Sequence, residues 1–123
     1  INNMNKDLIK IGLAIVDKGS NAIIASVDEE GFPNLKAMLK PRENDGLKTF
    51  FFTTNTSSMR VKHYLNNNKS SIYFYDSRFF RGIMLKGKME VLQTIVGYMK
   101  ILNHMILKFK FKDILIFFYI KSF

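Results

Sequence analysis

Apolar residues recur along the first part of the chain in two different periods. Over Asp7–Lys18, Leu8, Ile11, Ala14 and Ile15 fall at helical spacing and Gly19 follows as a C′ residue, which predicts an amphipathic helix of three turns. The period then shortens. Ala22–Val27 is small and apolar and reads as a strand, Asp28–Gly31 as a turn in which Gly31 can take positive φ, and Phe32–Lys40 as a second extended segment. Pro33 is tolerated there because it sits among the strand's first residues. Asn44-Asp45-Gly46 predicts another tight turn, and Leu47–Thr54, with Phe50-Phe51-Phe52 at its centre, predicts a buried strand.

At Asn55 the period changes again. Asn55-Thr56-Ser57-Ser58 supplies residues suited to a helix N-cap, and Met59, Val61, Tyr64 and Leu65 follow at helical spacing until Asn66-Asn67-Asn68 ends the run. Ser71–Tyr75 and Gly82–Leu92 are rich in strand formers, with Gly87 a candidate bulge. Tight turns favour antiparallel neighbours, because parallel ones need crossovers of a dozen or so residues. The pattern therefore predicts an α+β domain in which about five antiparallel strands curl into a barrel flanked by helices.

Composition narrows the function classes. The chain has 123 residues, 47% of them hydrophobic, enough for one core. It has no cysteine, which removes disulfides, thiolate metal sites and cysteine nucleophiles and suits a reducing cytoplasm. The residues from Ile1 to Asp7 lack the basic-then-apolar order of a secretory signal, and the longest apolar run, Ile114–Ile120, is far short of the ~20 residues of a membrane span. A soluble, cytoplasmic protein is expected. The net charge of +9 asks for an anionic partner.

The strongest local signal for chemistry is Phe52-Thr53-Thr54-Asn55-Thr56-Ser57-Ser58-Met59-Arg60-Val61-Lys62. A strand delivers hydroxyl and amide side chains to a helix start, and a cation follows one turn in. Such a start exposes unpaired N–H groups and partial positive charge, so it suits phosphate, and Arg60 can pair with it bidentately. An ordinary N-cap with a solvated Arg fits the same residues. Lys36, Met38 and Lys40 share one face of their strand, which fits either a ligand face or solvated lysines.

Taken in order, Ile23–Val27, Glu30-Gly31-Phe32-Pro33, Lys36–Lys40, Phe51–Arg60, Asn66–Asn68 and Gly87–Leu92 resemble the pyridoxamine-phosphate-oxidase-like superfamily, nearest its general-stress-protein branch. The resemblance covers residues 20–92 and implies a single FMN-binding split-barrel domain over residues 1–123, with the segment 93–123 atypical. It further implies that Leu35, Lys36, Ala37, Met38 and Lys40 line the flavin, largely through backbone groups. Phe52, Thr53 and Thr54 would meet its ribityl or phosphate end, and Ser57, Ser58, Met59 and Arg60 its phosphate. Met59 breaks a Ser-basic-basic triplet and leaves Arg60 the main cation, aided by Lys62; Gly82 stands where the oxidases carry a flavin-contacting Gln. The resemblance implies a homodimer with FMN at the interface, which Phe79, Phe80 and Arg81 would serve from the partner side. The oxidases' C-terminal substrate segment has no counterpart, so the expected activity is oxidoreduction of some other small molecule.

Three readings fit the tail from Thr94 to Phe123: closure of the barrel and dimer, wholesale divergence such as a reading-frame change, or a basic surface for a membrane or acidic partner. Within it, Ile95, Met99, Leu102 and Ile106 suggest a helix, and Leu107–Lys112 alternates as a strand does. His63 and His104, with no carboxylate cluster nearby, read as surface or interface histidines, so no metal is expected and hydrolysis has no support. Two alternatives to a flavoprotein remain. One is a non-catalytic basic module for nucleic acid or another polyanion, against which stand aromatics placed mainly in buried strands and the lack of a recognition motif. The other is a split barrel that has lost its cofactor.

Overall fold

A computed structural model describes residues 6–19, 21–55, 57–96 and 99–118, with side chains omitted for 93–104 and 113–118. The elements in chain order are α1 (Lys6–Lys18), β1 (Asn21–Val27), β2 (Pro33–Leu39), β3 (Glu43–Asp45), β4 (Thr49–Asn55), α2 (Met59–Asn66), β5 (Lys69–Asp76), β6 (Arg81–Val96) and β7 (Met99–Phe118). All seven strands form one antiparallel sheet in the order β2-β1-β5-β6-β7-β4-β3.

The two outermost strands, β2 and β3, are neighbours in the chain, joined only by residues 40–42. Three residues reach at most about 14 Å, so the sheet has to curl until its edges approach. The Arg42 amide donates to the Phe51 carbonyl of β4 at 2.8 Å, which starts the β3–β4 ladder directly after that short connection. This is the expected α+β split barrel, with the split between β2 and the β3–β4 side.

Alternation sends one face of β1, β4, β5, β6 and β7 inward. Ala22, Ile24, Phe50, Phe52, Ile72, Phe74, Ile83, Leu85, Met89, Leu107 and Phe109 are all 2% exposed or less, and Ile15 and Val16 of α1 join them. Phe50 is central, with ring centroids 5.4 Å from Phe74 and 6.3 Å from Phe109, the range aromatic pairs prefer. Each such side chain contributes roughly 1.5–3 kcal/mol by leaving water.

Four sequence expectations need correction. Of the helix suggested over Ile95–Ile106, the described residues 95–96 and 99–106 are strand, because β6 runs to Val96 and β7 pairs with β6 and β4 along almost its whole length, while 97 and 98 lie outside the described residues; ladder bonds override the local periodicity. The Leu107–Lys112 alternation is present, with Leu107 and Phe109 buried and Lys110 and Lys112 exposed. Asn44 and Asp45 belong to β3, and the reversal falls at Gly46–Lys48, where Gly46 has φ 54° and the Lys48 amide bonds the Asp45 carbonyl at 2.9 Å. Gly19 is not left-handed; it is there for closeness, since a Cβ would stand 3.1 Å from the Ile15 carbonyl oxygen and 3.3 Å from that of Tyr75. In α2 the buried stripe is Val61, His63 and Tyr64, while Met59 and Leu65 are 64% and 70% exposed. The bulge at Gly87 is as expected: the β6–β7 register shifts between Lys86 and Gly87, and a Cβ there would run into the Lys110 carbonyl and the Phe109 ring. Neither helix is long and apolar enough to cross a membrane, among the described residues.

Candidate functional site

The approach from β4 to α2 is held by Asn55. Its Oδ1 accepts from the Ser57 amide and the Ser57 hydroxyl, both at 3.0 Å, and its carbonyl accepts from the Ser58 amide at 3.0 Å. Thr56, between them, lies outside the described residues. Ser58 stands at the N-cap with extended backbone (φ −67°, ψ 140°), yet its side chain makes no capping bond. Its Oγ is buried without a partner, and so is Arg60 Nε two residues on. With Arg81 Nε these are the only buried side-chain N or O atoms left unpaired among the described residues. A buried donor in that state costs about 1–3 kcal/mol. Two of the three therefore gather where first-turn amides already lack intrahelical acceptors and the helix dipole is positive. A hydroxyl, a guanidinium and free amides in one place have the chemistry to hold a phosphate.

What seats α2 is a buried polar contact that the sequence did not reveal. His63, expected at a surface or interface, is 6% exposed, and its Nδ1 lies 2.7 Å from the Oγ of Ser26 on β1. The Tyr64 hydroxyl donates to the Ala25 carbonyl at 2.8 Å, which also accepts from Ser70 Oγ at 2.9 Å. Burial pushes the Tyr64 phenol above its ordinary value, against smaller lowering effects of Ser70 and of the Arg60 charge, so Tyr64 stays a neutral donor. The available signal was spacing: Ser26 falls at an inward position of β1, two after Ile24, so its hydroxyl requires a buried partner. His104 lies on β7, its side chain outside the described residues.

The two banks of the split carry the other sequence-predicted residues. β3 covers β4 only from Thr49 to Phe51, so Phe52–Asn55 is an open edge, paired on its other side with β7. Thr53 is exposed and Thr54 half-buried there, while Phe52 is 1% exposed and its ring belongs to the core. On the opposite bank, β2 pairs only with β1, leaving a row of its N–H and C=O groups unpaired by strands. Register puts Leu35 and Ala37 on the face of Ala25 and Ile23, and Lys36 and Met38 on the opposite face with Ile24 and Ala22. Lys40 follows the strand, and its Nζ donates to the Asp17 carbonyl near the end of α1 at 2.6 Å. The structure thus groups Ser57, Ser58, Met59 and Arg60 at one helix start, beside the Thr53–Thr54 edge; Leu35–Met38 lie on the other edge strand.

At the β5–β6 hairpin, Asp76 is 2% exposed and bonds Arg78 at 3.1 Å and Arg81 at 3.3 Å. Hydrogen bonding from Arg78, and then from Arg81, holds its carboxyl below the usual carboxylate range. Both guanidinium groups lie over the exposed Phe79 ring, at 5.2 and 5.0 Å from its centroid. Gly82, beside Arg81, is covered by Tyr73: a Cβ there would collide with the tyrosine ring and hydroxyl. No cluster of three or more His, Asp or Glu able to hold a metal occurs among the described residues.

Against this geometry the comparisons with known proteins are consistent. A family model described as pyridoxamine 5'-phosphate oxidase matches residues 14–109. A pyridoxine/pyridoxamine 5'-phosphate oxidase of Rhizobium etli is 34% identical over 73 residues, covering 58% of this chain and 34% of the relative. The match therefore spans about a third of that protein's length. A crystal structure from Clostridium acetobutylicum, of a protein related to general stress protein 26 of B. subtilis, superposes with a TM-score of 0.81 at 26% identity, covering 96% of this chain and 93% of the other. General stress protein 26 of Bacillus anthracis shares the fold at 12% identity, with a TM-score of 0.73 over 89% of this chain and 92% of that one.

Proposed function

The chain belongs to the pyridoxamine 5'-phosphate oxidase family, and we propose that it binds flavin mononucleotide in the split between β2 and β4 and uses it to oxidise or reduce a small molecule. The observation that carries this reading is the pair of unpartnered buried atoms, Ser58 Oγ and Arg60 Nε, at the start of α2. A phosphate would satisfy both. Thr53 and Thr54 would meet the ribityl or phosphate end, with Ser57 beside them. The open edge of β2 from Leu35 to Met38 would offer backbone groups to the ring, whereas Lys40, tied to Asp17, would act from the rim. Bound flavin would supply the hydride chemistry, and the chain would supply binding, orientation and electrostatics.

A second copy of the chain completes this reading. Leu35, Leu39 and Phe79 are 73%, 84% and 60% exposed, large apolar side chains that a partner could cover. A homodimer with flavin at its interface would cover them, with Arg81 Nε turned to the partner's site. A cytoplasmic setting suits a cysteine-free chain of this kind.

The test is an absorption spectrum of the purified protein and a titration that follows quenching of FMN fluorescence. A colourless protein that leaves added FMN unquenched overturns the proposal and points to a barrel without a cofactor. Arg60→Ala is expected to weaken FMN about 10- to 100-fold, the loss of one charged hydrogen-bonding partner. Unchanged affinity would mean the phosphate lies elsewhere.

A further inference from the structure

Away from the α2 start, the structure places lysines on one another's doorstep. Lys69 of β5 is directly opposite Lys88 of β6, and Lys88 is directly opposite Lys110 of β7. Directly opposed residues share a face at about 5 Å, where like charges repel. Lys110 is relieved by Glu90 at 3.6 Å, but Lys69, Lys86, Lys88 and Lys112 have no ion-pair partner among the described residues. Asp113 stands opposite Lys86 in the register.

The same four lysines line a cavity of about 380 Å³. Its other walls include Ala25, Val27 and Pro33 of the β1–β2 hairpin, the hydroxyl-bearing Ser70 and Ser71, and Gly87 at the bulge. A solvated basic face needs no cavity, and a chain selected for stability alone would not set three lysines in register. Four lysines around one hollow can bring an anion several charges at once. The Ser71 hydroxyl can donate beside them, that of Ser70 being already given to the Ala25 carbonyl, and the apolar wall can take an uncharged body. The pocket does not use Ser58 or Arg60 and does not rest on the flavin reading.

We propose that this cavity is a second anion site, built for a compact polyphosphate group such as that of a nucleoside triphosphate. An extended nucleic acid is the less favoured partner, because the lysines converge on a hollow and do not line a groove.

The test uses the whole protein with inorganic tripolyphosphate and, separately, ATP, followed by calorimetry and thermal melting in low salt. Both are expected to bind once per chain and to raise Tm, with affinity falling as salt rises. ATP binding tighter than tripolyphosphate assigns the site to a nucleotide; the reverse order assigns it to free polyphosphate; either upholds the pocket. Lys88→Gln is expected to weaken tripolyphosphate about tenfold or more and leave FMN affinity unchanged. Without the anion it is expected to raise Tm, because it removes a repulsion. If Lys88→Gln does not fold, Lys112→Gln reads the same loss of affinity. The proposal falls if tripolyphosphate does not bind, or if Lys variants bind it like the parent. It also falls if Arg60→Ala abolishes the binding while Lys88→Gln does not, which would place the anion at α2. Finally, a single-stranded oligonucleotide that binds tightly and is not displaced by tripolyphosphate would replace the pocket with an extended face.

Discussion

The start of α2 and the lysine pocket both favour anions, by opposite means. At α2 the donors are few and partly buried, and two of them, Ser58 Oγ and Arg60 Nε, lack any partner. Around the pocket the cations are exposed and numerous, and their cost is mutual repulsion across the ladder. Desolvated donors fix the position and geometry of what they bind, whereas exposed charges add attraction that salt screens. Binding at α2 should therefore change little between low and physiological salt, and binding at the pocket should change greatly.

The harshest way to break the comparison is at Gly87, which the pocket and the core share. Gly87→Val drives a branched side chain into the Lys110 carbonyl and the Phe109 ring, and about 3 kcal/mol of stability is expected to go, read by urea denaturation. Both sites should fail together. A loss under 1 kcal/mol would show that β6 and β7 can part at the bulge.

Ser26→Ala separates the two regions more gently. It leaves His63 Nδ1 buried without its 2.7 Å partner, an expected loss of about 1–3 kcal/mol. Because His63 seats α2, FMN binding should weaken with it; Ser26 also lines the lysine pocket, so tripolyphosphate binding is expected to change as well, by a smaller factor.

The smallest effect concerns Asp76, which orders Arg81, the third residue with an unpaired buried donor. Its folded carboxyl is held below the ordinary value, chiefly by Arg78. Its contribution is thus complete above the unfolded value of about 3.9 and is lost as pH falls through the folded one. Asp76→Asn should flatten the acid limb of stability below about pH 5, where the parent declines. An unchanged acid limb would show that other carboxylates set it.

Much of the fold was legible because alternation and turn residues were strong where the core is strong. Phe50–Phe52, the Gly31 turn (φ 87°) and the Gly87 bulge each carry their cause in the local sequence. β7 did not, because its identity as a strand comes from its pairing with β6 and with β4, a strand that lies far back in the sequence. The β3 strand was missed for a related reason: three residues beside a turn have no period of their own. In the candidate site, the hydroxyl-rich helix start was readable. The pairing of Ser26 with His63, 37 residues apart, was not, nor was the convergence of lysines from three strands. Long-range register decides both, and a linear pattern does not encode it by inspection.

The position of β7 has a consequence for how the chain reaches this structure. The β3–β4 hairpin is hydrogen-bonded to the rest of the sheet only through β7, and β7 is the last described strand to be made. During synthesis the first six strands cannot close into one sheet, so the apolar faces of Phe50 and Phe52 wait uncovered until Leu107 and Phe109 leave the ribosome. Long-range pairing of this kind slows folding and lengthens exposure to aggregation. A chain interrupted before β7 would keep most of its strands and still have no barrel.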